Sequence, residues 1–270
     1  QTRTKGGTRL KVYAGNARRA TQAVAAVKVE AFAEPVKELP AEDDGRLLTL
    51  EVKVHYMRSK FPALKGDPKM TDLRPLIAGV NEIWRKAGVR FTVTGGKSIQ
   101  AASLDAEKTY ADLFKPGVTD AVVRQLFGKT IYKLLPDFPD RGRVIHIVVV
   151  HTMPLGYGAL YMPSKGVVLM PQIKYAELVM DDGVWKNGSK VFFAQSNVLA
   201  HEFGHALSLK HVAEQGNLMI DGTLRQGTGV GPGEELTAEQ IAAARKQAFT
   251  GGPYVPGINP KPTRNQRKPD

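Results

Sequence analysis

The chain has 270 residues, room for one main domain of about 150–220 residues with extensions at its ends. Its 42% hydrophobic and 24% charged residues exclude a wholly disordered chain, and no run of 18 apolar residues exists to span a membrane. The absence of cysteine excludes a disulfide framework, a thiolate zinc site, an iron–sulfur cluster and a thiol nucleophile.

The net charge of +12 is concentrated at the ends. Residues 1–20 carry Arg3, Lys5, Arg9, Lys11, Arg18 and Arg19 with no acid, and residues 257–270 carry Lys261, Arg264, Arg267 and Lys268 against Asp270. The body between them is close to neutral. We divide the chain into an N-terminal basic extension or pro-segment (1–45), a folded body (46–250) and a basic tail (251–270). The basic ends read as solvated arms, or as arms that hold an anionic surface or acidic polymer. No helix-turn-helix, zinc-finger or RNP-like pattern accompanies them. The chain opens on Gln1, which reads as a processed or excised start, and Lys28 and Glu30 interrupt the apolar run Ala23–Ala33, which argues against an uncleaved leader. A secreted or extracytoplasmic protein whose leader has been removed is the expectation.

In chain order, Leu47–Tyr56 alternates apolar and polar residues as a half-buried strand does. Pro62, Gly66 and Pro68 mark a turn. Thr71 can then cap a helix with Leu73, Leu76, Ile77, Val80, Ile83 and Trp84 at helical spacing, stopped by Gly88. Val89–Thr94 is a second strand, which the pair Gly95-Gly96 should close. Residues 103–135 read as two helices, and the continuous apolar run Val144–Val150 as a strand covered on both faces. Two short strands, Gly156–Met162 and Gly166–Met170, join at Pro163–Lys165. A helix follows at Ser196–Leu209, then a Gly-rich loop at 227–233. The last helix, Leu236–Phe249, is opened by a capping box of Thr237 and Gln240. This order predicts an α/β fold with one mainly parallel sheet.

The helix at 196–209 contains His201-Glu202-Phe203-Gly204-His205. Histidines four apart share a helix face, roughly 6 Å apart at Cβ, so both imidazoles reach one metal ion. Glu202 is rotated by about 100° and lies beside that ion, where a carboxylate can hold and deprotonate a water. The bland alternative is a buried helix whose histidines are satisfied by backbone carbonyls. In an unbroken helix His211 would lie about 240° around from His205 and out of reach. It joins the pair only if the helix ends near Ser208 and the chain turns back. Three of the six histidines would then converge. Beyond them, Gly216-Asn217-Leu218-Met219 provides a turn and a methionine that, taken alone, would be core.

HEFGHALSLKH followed by GNLM resembles the metzincin clan of zinc metallopeptidases, whose pattern is HExxHxxGxxH with a downstream Met-turn. The spacing from the third histidine to the methionine is similar to that of the matrixins. VNEIWRKAGVRF resembles the first helix and second strand of secreted metzincins, GYGALYMPS the edge strand above the cleft, and LTAEQIAAARK the closing helix. The resemblance covers about residues 46–250. It implies a zincin fold with a mainly parallel twisted sheet, an antiparallel edge strand, an active-site helix and a C-terminal helical subdomain. It also implies one Zn2+ per chain on His201, His205 and His211, a general base at Glu202 and the Met-turn residue at Met219. The implied activity is a zinc-dependent endopeptidase acting through a Glu-activated, zinc-bound water, its protein or peptide substrate laid along Gly158, Ala159, Leu160 and Tyr161. The sequence leaves a calcium requirement open, and a monomer is expected.

The chain also departs from the pattern. Ser208 replaces the glycine that serves the sharp turn, at a cost of about 1 kcal/mol for a left-handed serine. Asp221 stands where astacins and serralysins carry a metal-reaching tyrosine, Val212 replaces the aspartate of adamalysins, and the cysteines of archaemetzincins are absent. A matrixin-like or divergent bacterial metzincin is the nearest description. His146 and His151 read as packing histidines, and Tyr157 and Tyr161 either border the cleft or cover the sheet. Glu42-Asp43-Asp44 reads as a linker, or places Asp43 or Asp44 on the zinc if 1–45 is a pro-segment. Two other functions remain to be separated from peptidase activity: a non-catalytic binding or particle-assembly protein that keeps the fold, and a zinc hydrolase acting on a non-peptide amide.

Overall fold

The computed structural model describes residues 47–68, 73–156, 158–172, 179–181, 184–187, 190–191, 194–221 and 232–258. The extension 1–45 with Asp43 and Asp44, the cap at Thr71, Tyr157, most of the Gly-rich loop and the tail beyond residue 258 lie outside the described residues. Among the described residues, no helix is long and apolar enough to cross a membrane.

The elements are β1 (Leu48–Arg58), α1 (Arg74–Trp84), β2 (Val89–Gln100), α2 (Leu104–Asp112), α3 (Asp120–Leu134), β3 (Val144–Val150), β4 (Leu160–Met162), β5 (Val167–Pro171), β6 (Val179–Asp181), β7 (Val184–Asn187), β8 (Lys190–Val191), α4 (Ala194–Ala206) and α5 (Ala238–Ala248). The main sheet has the order β2-β1-β3-β5-β4. Its first four strands run parallel, and β4 closes one edge antiparallel to β5. The predicted α/β class with a mainly parallel sheet and an antiparallel edge strand is the fold observed.

Alternation along the strands builds two cores. On one face, Leu50, Val52, Val54, Ile145, Ile147 and Val149 pack with Trp84 of α1, Phe203 of α4 and Ala244 of α5. On the other, Met57, Val148, Val150 and Leu169 pack with Tyr110 of α2 and Phe127 and Ile131 of α3. With helices on both faces, β3 is buried along its whole length, as its unbroken apolar run predicts. Gly88 stops the α1 region in the left-handed conformation (φ 59°), and Thr237 with Gln240 forms the predicted capping box of α5.

Two expectations change. The strand at 89–94 does not end at Gly95-Gly96 but runs on to Gln100. The register against β1 slips between Val52 and Lys53, so one residue is extra there, and a Cβ on Gly96 would lie 1.7 Å from the Val54 carbonyl oxygen. The glycines serve a bulge and a close backbone approach rather than a turn. The second change is a small antiparallel sheet, β6-β7-β8, in a region where the sequence suggested no element.

Candidate metal centre

α4 carries His201 and His205 one turn apart and ends one residue later, at Ala206. Its end is a Schellman motif: Leu209 N–H donates to the Gly204 carbonyl (2.9 Å), and Ser208 N–H donates to that of His205 (2.9 Å). Ser208 takes the left-handed position at φ 70°, as the reversal at that residue requires. The chain then comes back along the helix end, and Leu209 turns its carbonyl onto His205 Nδ1 at 3.0 Å.

The reversal delivers His211. The three Nε2 atoms lie 3.1 Å (His201–His205), 3.1 Å (His201–His211) and 3.0 Å (His205–His211) apart, a group that can hold a metal ion. An ion with bonds of about 2.0–2.1 Å in tetrahedral geometry separates its nitrogens by about 3.3 Å, so the triangle is close to the right size. The outer nitrogens are oriented as well. His201 Nδ1 faces the Leu218 carbonyl at 2.7 Å, and His205 Nδ1 faces that of Leu209. A carbonyl only accepts, so these Nδ1 atoms carry hydrogens, and in the neutral rings both Nε2 atoms present lone pairs to each other. Lone pairs 3.1 Å apart repel unless a cation lies among them. Satisfaction by carbonyls, the bland alternative for these histidines, is therefore the outer half of the same arrangement. His211 differs: its Nδ1 lies 3.7 Å from Asp221 Oδ2, and it is 44% exposed, which opens the triad to solvent on that side.

The segment behind the triad is pinned from several directions. Val212 N–H donates to the Met219 carbonyl, and Asp221 N–H donates to that of Val212. Asn217 accepts the Met219 N–H on Oδ1 and exchanges side-chain hydrogen bonds with Gln240 at the start of α5. Met219 is fully buried in the core that includes Trp84, and a Cβ on Gly204 would lie 2.3 Å from its sulfur. Trp84 in turn donates its indole N–H to the Ala200 carbonyl of α4 (3.2 Å).

Glu202 is only 8% exposed. Its Oε2 accepts the backbone N–H of Tyr161 on β4 at 2.6 Å. Val198 of α4 lies within 3.1 Å of where a Cβ on Gly158 would sit, so the segment 158–161 runs beside the helix that carries the triad. Leu160 is half-buried. Ala159 and the Tyr161 side chain are buried, so Tyr161 covers the sheet rather than lining a cleft. Its hydroxyl donates to the Tyr254 carbonyl (2.7 Å), and burial pushes its pKa up, which keeps the proton on. The Leu218 and Tyr254 carbonyls had no signature in the sequence, because any residue type supplies a carbonyl.

His146 stays with packing: it is buried, stacked on Phe138 at 4.0 Å and hydrogen-bonded to His55 at 2.9 Å. His151 is exposed, against the packing expected of it.

No family model matches the chain, and no curated protein matches it. Among solved structures it is similar to a zinc-dependent peptidase from Methanocorpusculum labreanum, with 15% identity over 72% of this chain and 99% of that one and a TM-score of 0.34. It is also similar to archaemetzincin from Methanopyrus kandleri, with 11% identity over 74% of this chain and 96% of that one and a TM-score of 0.40. A third is metalloproteinase-II from Bacteroides fragilis, with 14% identity over 79% of this chain and 56% of that one and a TM-score of 0.32.

Proposed function

We propose that the chain is a zinc-dependent endopeptidase of the metzincin type. One observation carries the reading: three Nε2 atoms within 3.1 Å of one another, the residue after the first of them being a carboxylate held by the edge strand. The donor set fits the ion, since three converging imidazoles, two of them with their outer nitrogens on backbone carbonyls, suit a zinc site that keeps a position open for catalysis.

His201, His205 and His211 would hold the ion, with Met219 as the Met-turn residue behind them. A zinc ion bound there would polarise a carbonyl and bring the pKa of water toward about 7. Glu202 takes a proton from water as its oxygen adds to the peptide carbonyl carbon. The same carboxyl returns that proton to the nitrogen as the carbon–nitrogen bond breaks. The peptide lies along Gly158, Ala159, Leu160 and Tyr161 as an added antiparallel strand. By the two-residue alternation of a strand, Ala159 faces the same way as the Tyr161 N–H that Glu202 engages, so its main-chain groups are those offered to substrate. We assign the basic ends to an anionic surface or an acidic polymer, outside the chemistry.

The test combines metal analysis with a cleavage map. Protein purified without added metal should contain close to one zinc per chain, and a denatured protein mixture should be cut at internal bonds. Glu202→Gln should keep the zinc and lose cleavage by about 10³-fold or more. A chain that cuts no peptide while holding zinc would favour the binding-protein alternative.

A further inference from the structure

Three hydrogen bonds join α4, β4 and the segment after α5 into a closed circuit. Glu202 Oε2 accepts the Tyr161 N–H (2.6 Å), the Tyr161 hydroxyl donates to the Tyr254 carbonyl (2.7 Å), and Tyr254 N–H donates to the Ala206 carbonyl (2.6 Å). Ala206 is the residue after His205, so the circuit begins and ends on the helix that bears the triad.

The sheet alone holds β4 weakly. The strand has three residues, pairs among the described residues with β5 alone, and is followed directly by Pro163. Residues 252–255, by contrast, are firmly seated. Val255 is 1% exposed, and a Cβ on Gly252 would lie 2.1 Å from the Gly142 carbonyl oxygen. We propose that Tyr161 is a positioning residue: its hydroxyl, fixed by the Tyr254 carbonyl, sets the edge strand at the height where its own N–H holds the Glu202 carboxylate. The strand that is to receive substrate thereby also aims the base, and a segment far along the chain sets both. The inference rests on reading Glu202 as the base. A displacement of about 1 Å in such a group lowers turnover by up to about 10²-fold without changing what binds.

Tyr161→Phe in the full chain removes one oxygen from a buried ring and keeps its volume. With zinc bound, kcat on a peptide should fall about tenfold while KM and metal content stay at wild-type values. Amide exchange followed by NMR supplies a readout independent of turnover. The amide at position 161 should exchange at least tenfold faster in Tyr161→Phe and in Glu202→Gln, with the ladder amides of Val167 and Leu169 unaffected. Unchanged exchange at 161 overturns the proposal, as does exchange raised equally at 161, 167 and 169, which is general loosening of the sheet. If the wild-type protein cuts no peptide, the endopeptidase reading fails, and the amide measurements still decide whether the circuit holds Glu202.

Discussion

Histidines gather on both sides of the main sheet, and the two groups differ in what surrounds their nitrogens. On the side of α4, three imidazoles point their Nε2 atoms at one another while backbone carbonyls take the outer nitrogens of two of them. On the side of α2 and α3, His55 and His146 lie stacked under Phe138, 3% and 1% exposed, and bond to each other. Asp140 Oδ1 is 3.1 Å from His146 Nε2, off the line a hydrogen bond needs, and its other oxygen takes Lys53 at 2.6 Å. The first group turns its Nε2 atoms toward one point, an arrangement that suits a cation. The second has its rings enclosed, and its pair of nitrogens shares one hydrogen. Helical spacing in the sequence singles out His201 and His205; the direction of the ring nitrogens shows why the two groups differ.

The largest expected effect breaks the comparison in two. His205→Ala should lower zinc affinity by several orders of magnitude and abolish hydrolysis. His55→Gln should leave the metal content at the wild-type level, because its ring faces the other core. Isothermal titration with zinc decides both. Equal loss of metal in the two variants would sink the division.

Acid should act chiefly on the enclosed pair. Burial is the main cause that lowers His55 and His146 to about 4. The nearby charges of Lys97 and Lys53 add to it for His55, while Asp140 pulls both groups the other way. The unfolded chain takes up these protons below about 6.5, and the folded chain refuses them until about 4. Stability from this pair is therefore complete above pH 6.5 and lost as the pH falls from 6.5 toward 4, by a few kcal/mol. Urea midpoints should fall less steeply with acid in a His55→Gln, His146→Gln double variant.

A smaller effect concerns the end of the body. The segment following α5 is seated in the fold, so a chain ending at Thr250 exposes the core around Val255 and leaves the Tyr161 hydroxyl and the Ala206 carbonyl without these partners. It should lose about 2–4 kcal/mol against a chain ending at Ile258, read as a drop in melting temperature. Ser208→Gly should gain about 1 kcal/mol by removing a left-handed side chain, with the metal site unchanged. Least of all, Asp221→Asn should weaken zinc by less than about tenfold, since the carboxylate stands 3.7 Å from His211 Nδ1 and both groups are partly in water.

Much of this was legible in the sequence wherever side-chain chemistry leaves a period. The apolar run of β3 and the capping box of α5 follow from residue type and spacing, whereas the helix stop that lets His211 turn back was only a condition there, since Ser208 stands where the turn favours glycine. The glycines at 95 and 96 misled because a bulge and a turn draw on the same residue. β6, β7 and β8 are two to four residues long, shorter than any periodicity can mark. His55 stayed unnoticed because a histidine among alternating residues looks solvent-facing, and only the helices across the sheet bury it. The carbonyls that orient His201 and His205, and the one that holds Tyr161, are main-chain atoms with no letter of their own.

The contact between Gly204 and the Met219 sulfur bears on how far the site can be transplanted. The two middle positions of the pentapeptide are not free: a side chain at 204 meets the thioether, and Phe203 lies 4.4 Å from Phe91 in the core. Grafting residues 201–205 onto a helix of another protein would carry over two imidazoles and a carboxylate. It would leave behind the Leu218 carbonyl, the returning chain and the methionine that the glycine was shaped to receive. The smallest portable unit is the whole stretch from Ala200 to Asp221 together with the surface of α5 that anchors Asn217.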